Sequence, residues 1–568
     1  MILDKRIVLI PYIIPIIFIG NDVSNILLLI ISSIYILMNI KHIKYINNRY
    51  IYSIMILITS AFISIIFVSS NMYSMSGMAI YLNALSYYLV FQIVKQKYNN
   101  NFYDFTQLLV YSIVGVNIFY LVIQLGINGE RLSGIFGYAN SLGILLLSFY
   151  LLNETHQFKY ERITSIILLV LIFATGSRTT MLLLLGYIGY SMLIERKKKY
   201  IYSLALAGTI YILIAKLGVG GFLIAPIILF INKLINKIDS KYIVIISVIA
   251  LFFVVNSSAN TIERLKNISF ENGSLQERII SFEDVIYSIK NNPLGKGINT
   301  YNFKSYEGAS AFYSQKYIHN SLLSIGYEFG FIGMVAFIIF VIQVIKILAS
   351  DKDKRYFIIA IMIFAHSLLD FDFAFSTIFI FISYLISNIS DGCEFKINKK
   401  LSRVVTIGVI LVYSYIAIYE VCLNINSEQS LSIAKNMYKK DYRSELYLSL
   451  ICIEDENKNS LMKSLEHLNL AENLERDNPF IKWNLAYVYS KIGMHKNALE
   501  KVWEVLEIER YNIDAYELCN NILIEKYRDS DKNEYKLELH KLKEYYIKSL
   551  NEMNPRAKFI KNQLSENF

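Results

Sequence analysis

Three arginines and a histidine stand at charged or polar breaks in an otherwise apolar chain. Arg131 opens the run Arg-Leu-Ser-Gly-Ile-Phe-Gly-Tyr-Ala-Asn, and Arg178 sits in Thr175-Gly176-Ser177-Arg178-Thr179. Arg278 precedes Asn292-Pro293-Leu294-Gly295-Lys296-Gly297, and His319 heads an apolar block that runs to about 348. A guanidinium is a planar fork of donors, which suits a diphosphate better than a lysine does. An imidazole of ordinary pKa, about 6.5, accepts a proton at neutral pH. The four residues therefore fit a site for an anionic ligand with a base beside it. Each also has a plainer reading, as an interfacial arginine reaching lipid phosphate or a lone surface histidine.

A further cluster is His366-Ser367-Leu368-Leu369-Asp370-Phe371-Asp372. His366 and Asp370 are four apart, so on a helix they share a face and can hydrogen-bond, with Asp370 orienting the ring. Asp370-x-Asp372 is also a spacing that can hold a divalent metal, though two carboxylates at a helix end are a weak signal for one. Arg264 adds another positive charge. The four cysteines, Cys393, Cys422, Cys452 and Cys519, form no Cys-x-x-Cys pair or metal cluster. A Cys452–Cys519 disulfide is compatible with the spacing but not required by it.

These residues must be carried by a membrane scaffold. Of 568 residues, 55% are hydrophobic, with 44 tyrosines and 34 phenylalanines against six prolines. A soluble protein cannot hide that much apolar surface. Fifteen apolar blocks run at about 7–20, 23–40, 51–69, 76–94, 107–126, 137–152, 163–175, 178–194, 201–215, 218–231, 241–256, 320–348, 356–370, 373–389 and 402–420. The fold class expected is all-α and polytopic, with about 13–15 spans. The first block lacks a small-residue cleavage site and reads as a retained span. The net charge of +10 lies mainly in alternate short loops, such as Lys41/Lys44/Arg49, Arg196–Lys199 and Lys396–Arg403. That alternation puts the N-terminus inside and argues against nucleic acid as a partner. An odd span count then puts the 257–319 loop and the tail outside, with Arg131, Arg178, Arg264, Arg278, His319, His366 and Asp370 at one outer level.

Two domains follow: a membrane domain over 1–425 and an extracytoplasmic helical domain over 426–568. The run from Asn478-Pro479 through Trp483 and Gly493 to Ala498-Leu499-Glu500 resembles a tetratricopeptide repeat. Ser464–Glu475 and Asp514–Lys526 read as degenerate flanking units. The domain is expected to be either a docking surface for a protein partner or acceptor, or a spacer.

His319-Asn320, nine residues, then Gly330 and Gly333 resemble the His-[Asn/Ser/Gln]-x9-Gly-x-x-Gly signature of the O-antigen ligase family. The Thr175–Thr179, Arg278…Asn292–Gly297 and His366–Phe371 segments resemble the same superfamily, which includes O-antigen polymerases and oligosaccharyltransferases. The resemblance covers about 100–390, on a chain with more apolar blocks than the family's dozen or so. It implies a GT-C-like glycosyltransferase of the cytoplasmic membrane, using an undecaprenyl-diphosphate-linked glycan donor at the outer face. Neither metal nor other cofactor is implied. His319, Arg278 and Arg178 would be catalytic, the arginines holding the diphosphate and the histidine deprotonating an acceptor hydroxyl on a glycan, lipid or protein. Arg131, Arg264, His366 and Asp370 would bind substrate. Ligase and polymerase differ in the acceptor and remain open at this level. The competing classes are a transporter or flippase of a polar lipid, which would carry ionisable groups or broken helices at mid-membrane, and a non-catalytic membrane scaffold.

Overall fold

The computed structural model describes residues 2–17, 22–67, 72–98, 103–156, 158, 160–193, 199–222, 273–305, 308–311, 315–351, 353–389, 393–394, 398–455, 457–528 and 532–557. Arg264, the block 241–256 and most of the block 218–231 lie outside the described residues. Helices underlie the other thirteen apolar blocks, and the protein is an all-α polytopic membrane protein. Among the described residues, six helices are long and apolar enough to cross a bilayer: Asp22–His42, Asn48–Ile66, Met72–Lys97, Asp104–Ile127, Ser321–Ala349 and Lys399–Ile425. Most of the others fall short of the ~20 residues that a straight crossing needs. All four cysteines are free.

Lipid tails are as apolar as leucine, so packing and interhelical hydrogen bonds hold such a bundle together. The core is accordingly rich in rings and small hydroxyls. Tyr12 meets Phe149 edge-on at 5.8 Å, Tyr50 shares a 2.7 Å hydrogen bond with Ser383, and Ser32 donates to Ser86 at 2.9 Å. At one end the basic loops meet. Tyr45 pairs with Glu394 in a two-residue antiparallel ladder, Gln96 accepts from the Lys44 amide, and Lys95 donates to the Ser387 carbonyl.

At the other end, the helix Ser321–Ala349 breaks at Gly330, whose φ of 70° and ψ of −164° are essentially reserved for glycine. The break leaves backbone groups without helical partners, and the 293–297 loop supplies them. Phe331 N donates to Pro293 O, while Lys296 N and Gly297 N donate to Tyr327 O and Glu328 O. A Cβ at Gly330 would lie 2.0 Å from Pro293 O, and one at Gly333 would lie 2.2 Å from Phe329 Cβ. The Gly-x-x-Gly spacing thus has a mechanical reason. Its first glycine admits the loop, and its second lets the restarted helix pass Phe329.

Beyond the αL residue Asn426 that ends the helix Lys399–Ile425, seven helices pack in chain order from Glu428–Met437 to Lys532–Glu552. Polar N-caps define five of the starts: Ser427 in a capping box, then Asp441, Asn457, Asn478 and Asn512. This stack is docked on the membrane domain. Ile280 and Ala311 of the segment before His319 join the core of the C-terminal helices, Arg556 pairs with Glu283 at 3.2 Å, and Asn554 N donates to Ser310 O. Arg443 is buried between Glu420 and Asp441, at 2.9 and 2.7 Å, with its guanidinium over the rings of Tyr73 and Tyr419.

Candidate active site

His319 directly precedes the N-cap of the kinked helix. Asn320 accepts from Leu323 N and donates to Leu368 O at 2.9 Å, and Ser321 Oγ donates to Asp370 O at 2.9 Å. The helix start is therefore stitched to the 368–372 turn, which brings His319 Nδ1 to 3.2 Å from Asp370 Oδ1. The imidazole keeps 17% of its side-chain surface exposed while the carboxylate beneath is buried.

Asp370 also accepts from Tyr138 OH at 3.0 Å, Asn140 Nδ2 at 2.8 Å and its neighbour Phe371 N at 3.0 Å. Burial alone would raise its pKa, but the hydrogen bond and charge of His319, with the charge of His366 and the Asn140 amide, hold it below the ordinary value. Only the ionised carboxylate can accept from all these donors. In the neutral ring, the tautomer that donates to this carboxylate has its hydrogen on Nδ1 and its lone pair on Nε2. A carboxylate-oriented imidazole of this kind is equipped to take a proton from a hydroxyl.

Two arginines, Arg131 and Arg278, reach the surroundings of this pair. Arg131 Nε donates to Thr175 O at 2.8 Å and Leu132 N to Ala174 O at 3.0 Å. These bonds satisfy carbonyls at the end of the helix Glu161–Thr175, where positive charge also suits the dipole. Gly176, at φ 57°, turns the chain there, and a Cβ on it would come within 3.3 Å of Arg131 Nε. The Arg131 Nη2 donates to Asn140 Oδ1 at 3.1 Å, so one amide bridges Arg131 to Asp370. Arg178 opens the next helix and is exposed. Arg278, on the helix Gly273–Asn291, has Nη1 3.5 Å from Leu369 O, which sets it over the turn that holds Asp370.

The expected His366–Asp370 hydrogen bond is not made. The helix Lys354–Ser367 ends before Asp370, so four-residue spacing no longer puts the two on one face. His366 Nδ1 instead pairs with Asp372 Oδ2 at 2.6 Å, and Ser141 donates to Asp372 Oδ1 at 2.8 Å. His366 is 0% exposed, which removes it from substrate contact. Asp370, expected to bind substrate or to orient His366, orients His319. The two carboxylates of Asp370-x-Asp372 thus diverge toward different histidines. Among the described residues, no group of three His, Cys, Asp or Glu is placed to hold a metal. Tyr138 and Asn140 were missed, although they stand in the Arg131 run; a Tyr-x-Asn after a glycine turn was the signal.

Beside the pair lies a polar chamber of about 70 Å³, lined by Asp22, Asn25, Asn299 and Glu328 with the rings of Tyr317 and Phe371. The Phe371 ring stacks on Tyr317 at 4.7 Å and meets His319 edge-on at 5.1 Å.

Residues 163–338 match the O-antigen ligase family, a span that holds Arg178, Arg278, His319 and the Gly330 and Gly333 of the kinked helix. No curated protein matched the chain. Residues 163–338 of this polytopic membrane protein are thus similar to the O-antigen ligase family, a match that supports a glycosyl-transferring membrane enzyme of surface-polysaccharide synthesis.

Proposed function

We propose that the protein transfers an undecaprenyl-diphosphate-linked glycan to an acceptor hydroxyl at the outer face of the cytoplasmic membrane. The observation that carries the reading is the His319–Asp370 pair, framed by arginines at the end of the bundle away from the basic loops. In this reading the N-terminus is inside and the helical domain, a tetratricopeptide-like stack, is outside.

The acceptor O–H gives its proton to His319 Nε2 as its oxygen bonds to the anomeric carbon. The bond from that carbon to the diphosphate oxygen breaks, and the electron pair leaves on the lipid diphosphate. Arg278 and Arg178 offset the charge that develops there. Arg131 acts through Asn140 on Asp370. Attack opposite the leaving group inverts the anomeric configuration; a retained configuration in the purified product overturns that step.

One observation favours a lipid transporter instead, namely the break at Gly330 beside Glu328 and Asp22. The same experiment separates the two. Wild type, His319→Ala and Arg278→Ala are compared at matched amount in vesicles loaded with lipid-linked donor. Transfer requires product in wild type only, with donor accumulating in both variants. Normal product from both variants rules out the site.

A further inference from the structure

Between the outer loop and the stacked helices lies a cleft of about 740 Å³, within the ~300–1,000 Å³ of small-molecule sites. We propose that this cleft binds a short run of uncharged sugars, the glycan next to the reacting centre. The inference rests on the transfer reading and gives the helical domain a substrate role within it.

Three features of the lining point to sugars. Flat aromatic faces are present: Phe480 is 52% exposed, and the half-buried Tyr442 stands in the wall with it. Sugar rings offer C–H faces to such surfaces, and their hydroxyl rims need donors and acceptors together. Asn512 and Glu509 provide both and are themselves joined by a 2.6 Å hydrogen bond.

The charge is balanced rather than cationic. Arg443 is bonded to Glu420 and Asp441 and Arg510 to Glu552 at 2.7 Å, while Glu507 and Glu509 line the same space. A phosphate chain would find its arginines already engaged. A lipid tail would find too much polar wall.

Position completes the case. Lys316 lines the cleft, and three residues of chain span roughly 10 Å at most, so this edge of the cleft lies within a sugar or two of His319. Tyr317, between them, stacks on the Phe371 that packs against His319.

The chain has only two tryptophans, Trp483 and Trp503, both in the stacked helices, so intrinsic tryptophan emission of the full-length protein reports on this region. The probe is a mixture of neutral oligosaccharides from partial hydrolysis of the host cell's surface polysaccharide. A saturable emission change is expected in wild type and His319→Ala. Affinity should fall at least tenfold in Phe480→Ala and return in Phe480→Tyr. In transfer kinetics Phe480→Ala should raise KM with kcat nearly kept. A rise confined to the lipid-linked donor assigns the cleft to the donor's glycan, and a rise confined to the acceptor assigns it to the acceptor's. No saturable binding, or equal affinity and KM in Phe480→Ala, overturns the cleft. That result leaves the transfer reading standing if His319→Ala is inactive, and an active His319→Ala overturns the transfer reading alone.

Discussion

Replacing Asp370 with asparagine keeps the shape of the site and removes its charge. The carboxylate accepts from Tyr138, Asn140, Phe371 N and His319, and an amide cannot accept from all four. With its NH₂ at the Oδ2 position it faces the Asn140 NH₂, which Arg131 fixes in place through Asn140 Oδ1. Turned the other way, it faces Phe371 N–H and His319 Nδ1, forcing the imidazole into the tautomer whose Nε2 carries the hydrogen. In either orientation the imidazolium formed on proton transfer loses its counter-charge. At close-pair distance and an effective dielectric of 20, that attraction is about 4 kcal/mol. This corresponds to a rate loss on the order of 10³, inside the ~10²–10⁴ that a positioned base contributes.

The assay is the initial rate of product formation by purified Asp370→Asn in vesicles at saturating donor. Donor affinity should stay near wild type, because Arg278 and Arg178 are untouched. The double variant with His319→Ala should be no slower than His319→Ala alone, since the two residues act as one unit. A folded Asp370→Asn protein within about threefold of the wild-type rate would refute the pair as the base, because a correctly placed but uncoupled histidine loses little.

Gly330→Ala should yield little monodisperse protein in detergent, since a Cβ meets Pro293 O at 2.0 Å and the backbone conformation costs an additional ~1–3 kcal/mol; a melting temperature near wild type would contradict the strain. Arg443→Ala leaves Glu420 and Asp441 buried without their cation, a loss of about 3–5 kcal/mol. Limited proteolysis should then cut near residue 426 much faster than in wild type, and an unchanged rate would mean the linkage is not structural. Asp370 has its folded pKa held below the ordinary 3.8, so its contribution to stability is present above that value and is lost as pH falls through the depressed one. The melting difference between wild type and Asp370→Asn should therefore persist from neutral pH to about pH 4 and shrink below it; a difference equally large at pH 2 would contradict this.

The scaffold was legible in the sequence because membrane helices announce themselves by long apolar blocks and basic loops. The arginine runs and His319-Asn320 were legible because charge at such breaks is unusual. The partner of His319 was not. Spacing by four assigned Asp370 to His366, a rule that holds only while the helix continues. Here the helix stops at Ser367, and the turn that follows is shaped by Asn320 and Ser321, about fifty residues upstream. Long-range stitching leaves no local periodicity to read. The glycines of the kinked helix were readable as a motif, but their reason, a loop docked into a broken helix, depends on contacts between residues 293–297 and 327–331.

The turn at 368–372 builds two aspartate–histidine pairs of opposite character. His366–Asp372 is wholly enclosed, bonded to Ser141, and packed under the site. A buried ion or hydrogen-bond pair of this kind contributes little net stability over an apolar filling, yet breaking it is costly. Its effect is to fix where the turn sits. His319–Asp370, two residues along the same turn, is half open and reaches solvent through the imidazole. On the proposed function, an enclosed pair sets the turn and an open pair exchanges protons, which divides rigidity from chemistry within five residues. Asp372→Asn should therefore lower the melting temperature and slow transfer together, whereas Asp370→Asn should slow transfer by a larger factor at smaller thermal cost. If Asp372→Asn instead slows transfer as strongly as Asp370→Asn at an unchanged melting temperature, the enclosed pair takes part in the chemistry and the division fails.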